Sequence, residues 1–131
     1  MNPQQICDRL GLQAQRMWKS GQDRVTPTGA PLSGVYKETY CTFNLACSRE
    51  DELERFIKRS NKILKPHKRF LRHISSTGGS IEYFVGMYLD KNHGVILSPE
   101  LLDELAKLQI ALSLDLYGGP DQRKRKRARK K

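Results

Sequence analysis

Residues 98–117 read Ser98-Pro99-Glu100-Leu101-Leu102-Asp103-Glu104-Leu105-Ala106-Lys107-Leu108-Gln109-Ile110-Ala111-Leu112-Ser113-Leu114-Asp115-Leu116-Tyr117. This stretch decides the fold class, because its periodicity changes part-way through. Ser98 suits a helix N-cap and Pro99 the first helical position. Leu101, Leu102, Leu105 and Leu108 then recur at helical spacing, which predicts a buried side. From Gln109 the pattern has period two: Ile110, Leu112, Leu114 and Leu116 alternate with Gln109, Ala111, Ser113, Asp115 and Tyr117, as in a half-buried strand. A capped helix running straight into a strand points to α+β. The expected architecture is a mostly antiparallel sheet packed by about three helices, a single layer pair over residues 1–120.

Working backwards, Ile81 to Leu89 reads as another strand. Ile81, Tyr83, Val85, Met87 and Leu89 point one way, and Glu82, Phe84, Gly86 and Tyr88 the other. Apolar residues in both sets predict partial cover on both faces. Asp90-Lys91-Asn92-His93-Gly94 has turn composition, and Val95–Leu97 reads as a short strand after it. Ser48 caps a helix whose stripe is Leu53, Phe56, Ile57, Ile63 and Leu64. Pro66 breaks that helix, and Phe70, Leu71 and Ile74 continue a second piece, closed by Gly78-Gly79. Before it, Val35 to Cys47 reads as the best strand of the first half, and residues 20–34, punctuated by Gly and Pro, as a long loop. Leu12 to Lys19 is a weak strand. Asn2-Pro3-x-x-Ile6 opens a short helix that Gly11 ends. It echoes Ser98-Pro99-x-x-Leu102.

The chain has 131 residues, enough to bury an apolar core without disulfides or metal. Its net charge of +10 is unevenly placed. Residues 121–131 hold eight bases and one acid, a net of +7, which leaves 16 bases and 13 acids, or +3, for the other 120 residues. Like charges without apolar area do not collapse, so the tail is expected to be disordered and cationic. Arg123, Lys124, Arg125, Lys126, Arg127, Arg129, Lys130 and Lys131 would attract nucleic-acid phosphates without reading sequence.

Cys7, Cys41 and Cys47 are odd in number, which argues for reduced thiols. On one strand Cys41 and Cys47 would sit about 20 Å apart, too far for one metal. His67, His73 and His93 have no metal-ligand spacing. Gly78-Gly79 is not followed by the Lys-Ser or Lys-Thr of a phosphate-binding loop. Met1–Gln5 has neither a basic nor an apolar leader pattern, and no apolar run reaches membrane-spanning length. The expected address is the cytoplasm. Trp18, the single tryptophan, and Tyr36, just past the loop, are the candidate partner-binding residues.

Asn2-Pro3-x-x-Ile6…Leu10-Gly11-Leu12, then Trp18-x-x-Gly21, the long central helix and the closing Asp115-Leu116-Tyr117 together resemble a bacterial family, domain of unknown function 4279. The resemblance covers most of residues 2–117. It departs in two places: a strand that usually precedes the first helix is not seen here, and Tyr36 stands where a Trp is usual. It implies one α+β domain without established chemistry, and relatives that look like immunity or accessory proteins. The missing strand would leave a sheet edge open to a second copy or a partner.

With no catalytic, cofactor or metal constellation, the expected function is a non-enzymatic protein-binding module. The alternative is an accessory nucleic-acid-binding protein acting through its tail.

Overall fold

A computed structural model describes residues 1–45, 52–89 and 94–118. The expected cap at Ser48, Cys47, His93, most of the 90–94 turn and the basic tail lie outside the described residues. The chain divides into two compact units, Met1–Ser48 and Arg49–Lys131.

The first unit opens with α1 (Pro3–Leu10). The Asn2 side chain accepts from the Gln4 amide at 3.0 Å, while the Gln5 side chain reaches back to the Asn2 amide. Gly11, at φ 64°, ends the helix in the left-handed region, and Leu12 N–H bonds back to the Cys7 carbonyl. The weak strand expected over 12–19 is realised at β1 (Arg16–Trp18), antiparallel to β4 (Tyr40–Thr42).

Between them, the residues read as a loop form a hairpin, β2 (Asp23–Val25) with β3 (Pro31–Val35). Both strands are exposed along their length, so no alternation of apolar and polar residues marked them. The Thr26 amide donates to the Ala30 carbonyl across the turn. The strand expected over 35–47 is correspondingly shorter. Val35 belongs to β3, and residues 43–45 carry no strand.

The second unit begins with α2 (Leu53–Leu64). Its N-cap is Glu52, without a side-chain bond. Pro66 interrupts the helix as expected, in a 3-10 turn over Lys65–His67, and α3 (Lys68–Ser76) follows. Then come β5 (Glu82–Leu89), α4 (Pro99–Leu108) and β6 (Ala111–Gly118). Ser98 caps α4 by accepting from the Leu101 amide at 3.3 Å. Gln109 closes it at φ 58°, and Ile110 N–H returns to the Leu105 carbonyl. The echo between the first and last helices is thus real at the level of both caps.

β5 and β6 run parallel, Glu82 beside Ala111 through Leu89 beside Gly118. Parallel neighbours need a long crossover, and α4 supplies it. Val95–Leu97, expected as a strand, is not one, and Ile96 is 83% exposed. Three apolar residues in a row gave a β signal, yet no strand partners them. Of the three two-stranded sheets, two are antiparallel and one is parallel, with four α-helices among the described residues. The α+β class stands.

The core of this unit is Leu53, Phe56, Ile57 and Leu64 of α2, Leu71 of α3, Tyr83, and Leu101, Leu105 and Leu108 of α4, joined by Ile110. Burying each aliphatic side chain contributes about 1.5–3 kcal/mol. α4 packs on α2 and α3. Of the residues expected in the stripes, Ile63 and Leu102 sit on the outer side of their helices, about half exposed, and Phe70 and Ile74 are half-buried.

Candidate binding surface

The strand register sorts β5 and β6 into two faces. Tyr83, Val85 and Met87 stand beside Leu112, Leu114 and Leu116 on one. Tyr83 is buried there, and its hydroxyl donates to Asn61 Oδ1 of α2 at 2.7 Å. The opposite face carries Phe84 and Tyr88 from β5, and Ser113, Asp115 and Tyr117 from β6. Phe84 is 65% exposed and Tyr88 82%. The cover expected on this face is not found at Phe84 and Tyr88; the bond to α2 is made from the Tyr83 face.

The Tyr88 and Tyr117 rings stack at 5.1 Å, and the Tyr117 hydroxyl donates to Asp115 Oδ2. That bond, with the Asp115 charge, holds the Tyr117 phenol above its ordinary pKa. Gly86 lies between Phe84 and Tyr88 with no side chain, and the Tyr117 ring leans towards it. The inner face is also partly bare from the middle of β6 onward, where Leu114 and Leu116 are exposed. Among the described residues neither β5 nor β6 pairs with any further strand. Parallel sheets are normally covered on both faces, and two strands alone are marginal in water. Among the described residues this pair therefore presents an apolar aromatic face.

Trp18 and Tyr36, the residues singled out from sequence, lie together in the first unit. Trp18 stacks with Tyr36 at 4.6 Å and with Tyr40 at 4.4 Å, both near parallel. Arg16 lies 5.4 Å from the Trp18 ring centre, within cation–π range. The Tyr36 hydroxyl donates to the Val25 carbonyl and accepts from the Val25 amide, tying the hairpin down. The indole is thus already engaged by two rings and a guanidinium, and of the three rings Tyr40 is the most exposed. Phe84, Tyr88 and Tyr117 were not singled out from sequence. Their signal was there, as aromatics on the phase opposite Tyr83, but periodicity cannot say which of two apolar phases faces the helices.

One open depression of about 490 Å³ lies in the first unit, lined by residues including Gln4, Cys7, Asp8 and Met17. Asp8 accepts from the Gln4 side chain at 3.0 Å. Cys7 is buried, and burial, then the nearby Cys7, push the Cys41 thiol up, away from the reactive thiolate. His67 lies in the 3-10 turn and His73 on α3. Among the described residues no group of three or more His, Cys, Asp or Glu could hold a metal ion.

The family model described as domain of unknown function (DUF4279) matches residues 1–119. The chain belongs to the DUF4279 family. Comparison with curated proteins found no match, and comparison with solved structures found none either. Among the described residues of this DUF4279 chain, no helix is long and apolar enough to cross a membrane.

Proposed function

We propose that this chain is a non-enzymatic protein-binding module, of the immunity or accessory kind that its resemblance implied, working in the bacterial cytoplasm. The observation that carries this reading is the exposure of Tyr88 and Phe84 on a parallel strand pair whose other face buries Tyr83 against α2. Leaving an aromatic ring in water forgoes roughly 1.5–3 kcal/mol that burial would return. Contiguous exposed apolar area of this kind marks interaction sites. A protein partner can cover the aromatic face, and an extended segment can add to the edge of β5 or β6 by strand pairing. In the first unit, Trp18 and Tyr36 would support such a contact as a fixed stack whose accessible member is Tyr40.

The test compares the wild-type chain with a Phe84→Ser/Tyr88→Ser variant in affinity capture from the native host, with sedimentation of both. A stoichiometric partner, or a second copy, held by the wild type and lost by the variant is the expected result. Identical capture and identical sedimentation would sink the reading.

A further inference from the structure

The charge of the folded part averages close to neutral, but it is sorted within the second unit. Residues 53–76, which contain α2 and α3, hold eight lysines and arginines and one acid, Glu54. That acid is engaged with Lys58 at 3.1 Å, which with Ser98 holds its carboxyl below the usual range. By contrast α4 holds Glu100, Asp103 and Glu104 against one base, Lys107.

On α2 and α3 the bases Arg55, Arg59, Lys62, Lys65, Arg69 and Arg72 are all exposed. On α2, Arg55, Arg59 and Lys62 are four and three positions apart, the spacing of one helix face, and on α3 Arg69 and Arg72 are three apart. The 3-10 turn at Lys65–His67 does not interrupt the exposed run. At ~1.5 Å per residue the 12-residue α2 is on the order of 18 Å long, and α3 continues the row of bases beyond the turn.

We propose that the exposed face of α2 and α3 binds nucleic acid through its phosphates. A row of exposed bases spread along two successive helices fits a repeating polyanion better than a single phosphate group. An anionic membrane is the less suitable partner. A helix that lies on a bilayer inserts an apolar face, and here that face, with Phe56, Ile57 and Leu64, is already buried in the core. Ile63 is the one large apolar side chain exposed on these two helices. Recognition is electrostatic and independent of base sequence, since phosphate contacts position a protein without reading bases. The eight bases of residues 123–131 add to the same attraction but are not needed to define the surface.

The test uses the full chain and an Arg55→Gln/Lys62→Gln/Lys65→Gln/Arg69→Gln variant, with the tail unchanged in both. The probes are a short double-stranded DNA, a single-stranded RNA and phosphatidylserine vesicles. Affinity is read by fluorescence anisotropy for the nucleic acids and by co-sedimentation for the vesicles, between about 50 and about 200 mM salt, with circular dichroism as the folding control. Losing four phosphate contacts is expected to lower the slope of log affinity against log salt for DNA by about 3 to 4. Over that salt range this removes roughly a hundredfold of salt-dependent loss. A charge-preserving Arg55→Lys/Arg69→Lys variant keeps the slope. An unchanged slope in the four-residue variant overturns the proposal, as does a loss of vesicle binding with DNA and RNA binding intact.

Discussion

The Tyr83 hydroxyl donates a 2.7 Å hydrogen bond to Oδ1 of Asn61, joining β5 to α2 inside the core of the second unit. Asn61 is fully buried, and its Nδ2 has no hydrogen-bond partner. Removing the phenol hydroxyl would leave the amide oxygen unpaired as well. Tyr83→Phe is therefore expected to cost about 1–3 kcal/mol in urea unfolding. Pairing it with Asn61→Leu, which removes both polar partners, should recover most of that loss. A single variant as stable as the wild type would show the bond contributes nothing.

The same buried phenol titrates late. Burial, then the charge of Glu104, push Tyr83 well above the ordinary tyrosine pKa. The folded state thus favours the protonated form. The stability this group contributes is complete below about pH 10, where free tyrosine titrates, and falls as pH rises through that value. Wild type should lose stability on the alkaline side more steeply than Tyr83→Phe. Ultraviolet titration of the five tyrosines should show a late-titrating fraction to which Tyr83 and Tyr117 contribute, and Tyr83→Phe should remove part of it. Parallel alkaline limbs for the two proteins would contradict this.

Gly79 closes α3, its amide donating to the Ile74 carbonyl at 2.9 Å. A Cβ there would stand 2.7 Å from Ile74 Cγ2 and 2.9 Å from Ile74 O. The second of these atoms is backbone and cannot rotate away. Gly79→Ala should lower the thermal midpoint by several degrees, equivalent to about 1–3 kcal/mol of overpacking. An unchanged midpoint would mean the turn relaxes freely.

Because Trp18 is the single tryptophan, its emission reports on the first unit alone. Tyr36→Ala removes one stacked ring and should shift that emission to the red. Tyr36→Phe keeps the ring and drops the two hydroxyl bonds to Val25. It should preserve the emission while costing ~1 kcal/mol. Equal spectra for wild type and Tyr36→Ala would remove the stack from this account.

Phe84→Ser should leave unfolding free energy within about 0.5 kcal/mol of wild type, since that ring is exposed in the unbound chain, and Tyr88→Ser should cost no more than the ~0.5–1.5 kcal/mol of its stack on Tyr117. Solubility should rise. A large loss of stability in either variant would show that these rings already pack against the chain itself.

Local chemistry was legible without the fold. Asn2-Pro3 and Ser98-Pro99 start helices, Gly11 ends one, and Pro66 breaks one, because caps and ring constraints act within a few residues. The α2 apolar stripe and the period-two run of β6 could be read from spacing alone. So could the basic stripe on α2 and α3, had the charge been followed helix by helix instead of averaged over 120 residues. Three things needed the tertiary structure. The β2–β3 hairpin carries no burial pattern, so nothing in its side chains announced it. β5 takes β6 as a parallel partner, because strand pairing is decided by where the chain returns after α4. The helices cover Tyr83 and leave Phe84 and Tyr88 bare, because a strand with apolar residues on both phases becomes one-sided only when something packs against it.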